Sequence, residues 1–309
     1  MNMTDTQALF DSCQPFLDQT KFDKKYLKPI FKRELKNITV ESQGIEQLKE
    51  HIAQNINLEL YKDRGWLNDK GEIIPLYYKF TEYGYRECTE DYKAKSIAAF
   101  GCSDTFGKGS YLNHTWPYIL SKQLNKPVHN CGVPGASIKE VLKNILIFLD
   151  KANIETIAIL IPERAREFFI FQSNSGKLNS HSFNPGAFDS IDIVHGASLF
   201  GKSQQKVINH YKNACISDEY IALSFVTDLN AIENICSKRG IKLMLLPNPL
   251  YYSEYYEDYT LKTVGEKLSK GSNYSLSRDF IHFGQEFQTD IASYFTKRYR
   301  KLLEPVTKD

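Results

Sequence analysis

From Ser96 onward, short apolar runs alternate with segments of helical periodicity, and this alternation restricts the fold more than any other feature of the chain. The runs cover residues 97–100, 127–131, 156–161 and 241–246, and the periodic segments cover 115–124, 138–149, 218–238 and 284–300. In the second periodic segment Val141, Leu142, Ile145, Leu146 and Leu149 recur three or four residues apart, which puts them on one face of a helix. In the first, Trp116, Ile119, Leu120 and Leu124 do the same. Strands that are short and apolar throughout are buried on both faces, and helices between them allow parallel pairing, so the pattern predicts a mostly parallel sheet with helices on either side. Ligands of such sheets sit at the carboxyl ends of the strands.

The first 92 residues read differently. Helices are expected over 24–35 and 44–60, followed by a tyrosine-rich stretch broken by Gly65, Gly71, Pro75 and Gly84. This composition predicts an accessory segment, 1–92, packed on a main domain, 93–309. Two later stretches also leave the alternation. Residues 172–200 are polar and turn-rich, a length of loop that is usually functional or disordered. Residues 251–259 hold five tyrosines, of which Tyr251, Tyr252 and Tyr255 are candidate substrate contacts, since a flat apolar face with a polar tip suits a sugar ring. An aromatic flap packed on the core is the competing reading of that stretch.

Composition removes several classes of function. With 309 residues, 42% hydrophobic and 25% charged, the chain has globular composition. Its 39 Lys and Arg nearly balance 37 Asp and Glu, so no global cationic field draws it to nucleic acid. No run of about 18 apolar residues offers a membrane-spanning helix. The opening stretch carries Asp5 and Asp11 without a basic start or an apolar centre, so no secretory leader is read there and a cytoplasmic location is expected. The six cysteines include no C-x-x-C pair and the histidines no ligand spacing, so no metal and no organic cofactor are expected.

Gly101-Cys102-Ser103-Asp104-Thr105-Phe106-Gly107 begins where the first apolar run ends. A serine there presents its hydroxyl at the sheet's carboxyl edge, although Thr105 stands where a G-x-S-x-G elbow has its last glycine. Asp279-Phe280-Ile281-His282 stands just before the closing helix. A serine hydroxyl is a weak nucleophile until a base takes its proton, and a histidine base needs a carboxylate to fix its tautomer. Asp279 and His282 supply both residue types. Taken singly, Ser103 reads as a turn residue and Asp279 as a helix cap.

Taken in order, four elements resemble the SGNH (GDSL-type) hydrolases. They are the Gly101 to Gly107 run, Thr115-Trp116-Pro117, Asn130-Cys131-Gly132-Val133-Pro134-Gly135 and the Asp279 to His282 run. The likeness is to the subgroup whose first block reads G-C-S-x-T-x-G, and Tyr83-Gly84-Tyr85-Arg86 is similar to a G-[FY]-R element ahead of the first strand in that group. The resemblance implies a three-layer α/β/α fold of flavodoxin-like order and cleavage of an O-acetyl or other short acyl ester, on a saccharide if the tyrosines contact it. It also implies Ser103 as nucleophile, His282 as base and Asp279 as its orienting carboxylate, with the backbone N–H groups of Ser103 and Gly135 holding the oxyanion. The third block departs from the pattern: Ile161-Pro162-Glu163-Arg164 has no asparagine. Arg164 either donates to the oxyanion in its place or pairs with an acid such as Glu163. A non-catalytic binding or structural protein on the same fold is the alternative. A further alternative is Gly196-Ala197-Ser198-Leu199-Phe200-Gly201-Lys202-Ser203, which has P-loop spacing but bulky residues where a loop wraps phosphates, and no downstream strand ending in Asp.

Overall fold

The structure, a computed structural model, describes residues 38–39, 45–81, 83–89, 91–164, 166–172, 178–183, 217–248, 276–278 and 282–304, and every structural statement is made of these. Four strands make the central sheet: β3 (Ser96–Phe100), β4 (Val128–Asn130), β5 (Ile154–Ile161) and β8 (Lys242–Pro247), in the order β4-β3-β5-β8. All three pairings are parallel. The chain passes from β3 to one neighbour, then crosses to β5 on the other side, so β3 stands at the point where the winding reverses.

Period-two alternation sorts the sheet's side chains into two cores. Ala98, Phe100, Ile157, Ile159 and Ile161 face one side, where they meet Val141, Ile145 and Phe148 of α5 (Ile138–Phe148) and Ile232 and Cys236 of α6 (Asp218–Lys238). Ile97, Ala99, Ala158, Leu160, Met244 and Leu246 face the other side. There they meet Trp116 and Leu120 of α4 (Trp116–Leu124), and Phe287, Ile291 and Phe295 of α7 (Gln285–Leu303). The result is the three-layer α/β/α architecture that the alternation predicted. Pro117 at the start of α4 and Ser137, which caps α5 by accepting from Glu140 N at 3.3 Å, fix two of the helix starts.

Before the sheet come β1 (Ile38–Thr39), α1 (Ile45–Ala53), α2 (Leu58–Asp63) and β2 (Tyr77–Tyr78), with β1 and β2 antiparallel. The single helix expected over 44–60 is two helices, because Asn55 and Asn57 adopt left-handed φ values of 54° and 56° and the chain turns between them. Leu48, Tyr61, Trp66 and Leu67 form a small core of their own, while Leu76 and Tyr78 pack against Phe106. The helix read over 24–35 lies outside the described residues.

The polar stretch after the third strand also differs from expectation. A hairpin of β6 (Glu167–Gln172) and β7 (Leu178–Phe183) occupies its start, paired antiparallel from Glu167 opposite Phe183 to Gln172 opposite Leu178. Ladder bonds are made by backbone, so a strand pair can form where side-chain polarity gives no sign of one. Near the start of the closing helix, Leu276 and Phe283 form an isolated antiparallel bridge. Among the described residues no helix is long and apolar enough to cross a membrane.

His129 in β4 is 4% exposed, with Nε2 3.1 Å from Ser96 Oγ and its ring stacked on Tyr92 at 4.8 Å. Burial pushes its pKa down from 6.5 to about 4. The unfolded imidazole therefore binds a proton between those values that the folded one refuses, so stability is complete above about pH 6.5 and falls as pH drops toward 4. Urea titrations from pH 7 to pH 4 should lose roughly 3 kcal/mol to this group, and that part of the slope should vanish in His129→Asn. An unchanged slope would show that carboxylates alone cause the acid sensitivity.

Candidate active site

The carboxyl end of β3 turns sharply at Gly101, whose φ is 150°. A Cβ there would lie 2.2 Å from Thr105 Oγ1 and 2.7 Å from the Leu160 carbonyl oxygen, so only glycine lets the strand fold directly into α3 (Ser103–Phe106). Ser103 is the first residue of that helix and is 8% exposed. Asp104, Thr105 and Phe106 behind it are buried. The sequence placed the serine at the sheet's carboxyl edge, and it is there, at the winding reversal.

Every neighbouring element holds α3 in place. Asn248, at the carboxyl end of β8, donates from Nδ2 to Asp104 Oδ2 at 2.8 Å, and the Cys102 thiol lies 3.6 Å from the same oxygen. Gln288 of α7 donates to the Asp104 carbonyl at 3.0 Å and accepts from Trp116 N at 2.8 Å. Arg86, 1% exposed, donates from Nη1 to the carbonyls of Phe106 and Gly107 at 2.8 and 2.7 Å, and from Nη2 to that of Ser110 at 2.7 Å. Its guanidinium carbon lies 4.6 Å from the centroid of the Tyr78 ring and 5.4 Å from that of Phe106. Burial lowers its pKa to about 10, which still leaves it charged at neutral pH.

The loop after β4 runs alongside. Val133 N donates to the Gly101 carbonyl at 3.0 Å, continuing the parallel ladder beyond the strand ends. This brings Gly132 onto the backbone of α3, where a Cβ would lie 2.3 Å from Phe106 N. Gly132→Ala should displace the serine turn, costing about 2–3 kcal/mol of stability. A thermal-shift measurement within a degree of the parent would show that the loop relaxes instead. Gly135 lies on an exposed turn two residues beyond Val133, with φ at 79°.

On the opposite side, the turn carrying His282 is docked onto the segment that leaves α3. Ser277 N donates to the His282 carbonyl at 2.7 Å, closing the turn. Arg278 N donates to the Gly109 carbonyl at 3.0 Å and Ser277 Oγ to that of Lys108 at 3.2 Å. Arg278 also donates from Nη1 to the Ile74 carbonyl and to Tyr111 Oη, the latter at 3.2 Å. His282 is half-buried. Asp279 lies outside the described residues, as do Tyr251, Tyr252, Tyr255 and the Gly196 to Ser203 motif.

Beyond β5, Arg164 is exposed, while Glu163 Oε2 lies 3.5 Å from Arg166 Nε. The Arg166 side chain is only 14% exposed, and its charge works against the burial that raises the Cys102 thiol. The sequence reading missed Arg166, Asn248 and Gln288. Asn248 did carry a signal: a polar residue between two prolines where an apolar strand ends.

The charge state of the thiols narrows the choice of nucleophile. Burial raises Cys102, and Asp104 raises it further; burial also lifts Cys131 well above its ordinary value, Cys88 to about 12 and Cys236 to about 11. All four stay protonated at neutral pH, so none of the described cysteines presents a thiolate. Among the described residues no group of three His, Cys, Asp or Glu is arranged to hold a metal ion.

Compared with known protein families the chain matches none, and no curated protein matches it either. Among solved structures it is similar to one described as a lipolytic protein of the G-D-S-L family from Desulfitobacterium hafniense DCB-2. That pair shares 14% identity over 66% of this chain and 99% of that one, with a TM-score of 0.36. It is also similar to TesA, at 13% identity over 68% of this chain and 100% of that one, with a TM-score of 0.37. At these values neither likeness transfers a residue's role, and the reading of the site rests on this chain's own side chains.

Proposed function

We propose that the chain is a serine ester hydrolase acting on an O-acetyl or other short acyl ester, with a saccharide as the alcohol part. The observation that supports this reading is Ser103 at the carboxyl end of the strand where the winding reverses, with Ser277 and Arg278, shortly before His282 in the chain, hydrogen-bonded to Lys108 and Gly109, just after α3. Ser103 Oγ attacks the ester carbonyl while His282 takes its proton; the tetrahedral intermediate collapses as His282 returns that proton to the leaving alcohol; water then releases the acyl group by the same route. Asp279 orients the imidazole. The N–H groups of Ser103 and Gly135 receive the oxyanion, and Arg164 donates to it in place of the asparagine that the third block lacks.

A fluorophosphonate probe tests this directly, because it reacts preferentially with an activated serine. Peptide mapping should find the adduct on Ser103. An unlabelled protein, or an adduct on another residue, would favour the non-catalytic alternative.

A further inference from the structure

A cleft of about 320 Å³ is lined by Asp63, Arg64, Gly65, Tyr111, Asn113 and His114. It lies between the end of α2 and the 3₁₀ turn Leu112–His114, so the N-terminal segment supplies one wall and the main domain the other. Its size is at the lower end of the range for ligand clefts, about 300–1,000 Å³. We propose that this cleft binds a neutral saccharide, the alcohol part of the ester substrate; that role, though not the binding itself, rests on the hydrolase reading above.

The lining excludes two other ligand classes. Among the described lining residues an anion would meet one cation, Arg64, whose neighbour Asp63 offsets it and which Glu286 also reaches electrostatically. His114 adds no charge near neutral pH, because burial holds its pKa below the ordinary 6.5. An apolar ligand would strip water from a carboxylate, a guanidinium and an amide without replacing their hydrogen bonds. A sugar matches what remains. Asp63 accepts, Arg64 donates, and Asn113 and His114 do both, which is the mixture that vicinal hydroxyls require. The rings of Tyr111 and His114, edge to face at 5.8 Å, give an apolar wall for the C–H face of a pyranose.

One hydrogen bond and one electrostatic interaction link the cleft to the elements that flank His282. Tyr111 Oη accepts from Arg278 Nη1 at 3.2 Å, and Arg278 lies in the turn that carries His282. Glu286, within electrostatic reach of Arg64, is in the first turn of α7, immediately after that histidine.

The test uses the full-length chain carrying Ser103→Ala, which binds without turning over. Neutral chito-, malto- and galacto-oligosaccharides and, separately, uronate- and sialate-bearing ones are titrated against it by NMR. A neutral oligosaccharide should bind, and Asn113→Ala and Arg64→Gln, made in the same background, should each weaken it at least tenfold. Asn113 is exposed, so its replacement leaves packing intact. Binding of the acidic oligosaccharides alone, no binding of any, or binding indifferent to both substitutions would overturn the proposal. Failure of the hydrolase reading would register separately, as absence of aryl acetate hydrolysis by the unsubstituted protein while the oligosaccharide still binds.

Discussion

Ser103→Ala is expected to abolish hydrolysis of a short-chain aryl ester, with a loss of roughly 10⁴-fold or more. His282→Ala should be equally damaging, and the double variant little worse than either, because proton transfer and attack are one event in which neither residue helps without the other. Asp279→Asn should cost less, since it disturbs the imidazole's orientation and leaves the base in place. Initial rates with p-nitrophenyl acetate measure all four. Residual activity equal to the parent's in Ser103→Ala would place the chemistry elsewhere or remove it altogether.

The largest stability effect should follow substitution of Arg86. Its two Nη groups satisfy three buried carbonyls at the far end of α3 and the turn beyond, while its faces lie against Tyr78 and Phe106. Arg86→Met keeps much of the stem but removes the donors, leaving carbonyls that neither water nor a neighbour can fully satisfy. A loss of about 4 kcal/mol is expected, from hydrogen bonds to a charged donor that contribute about 1.5–3 kcal/mol each and are not additive. For a chain of this size that corresponds to a fall in Tm of roughly 6 °C. Arg86→Lys should recover only part, because an ammonium lacks the planar fork that reaches three oxygens at once. A calorimetric Tm within about two degrees of the parent in Arg86→Met would show that the loop carbonyls find other donors.

What could be read from the sequence follows from the range of each interaction. Period-two and period-3.6 patterns are local, so the apolar runs around Ile97, Val128, Ile157 and Met244, and the helices beginning near Trp116 and Ile138, were visible without any knowledge of their partners. Ser103 was legible for the same reason: a glycine, a small polar residue and the end of an apolar run are neighbours in the chain. The break at Asn55 and Asn57 was not, since helical periodicity continues across it and only the backbone dihedrals reveal the turn. Asn248 and Asp104 are 144 residues apart, and Gln288 and Trp116 are 172 apart. Pairings at that distance depend on the sheet order, which no local pattern contains. Arg86 is intermediate. Its motif was recognisable, but the carbonyls that it serves become its neighbours only when the segment before the sheet folds back over α3.

That fold-back bears on how far this protein is modular. The main domain read from the sequence begins at residue 93, after the tyrosine-rich stretch. Tyr78 and Arg86 lie before that point, yet they close the underside of the turn that carries the serine, with Tyr78 Oη also accepting from Gly109 N at 2.7 Å. An excised or transplanted piece starting at 93 would keep the whole four-stranded sheet and both helical layers, and still lack what shapes the corner that carries Ser103. For grafting, circular permutation or directed evolution, the unit to carry is therefore the sheet together with the strap that precedes it.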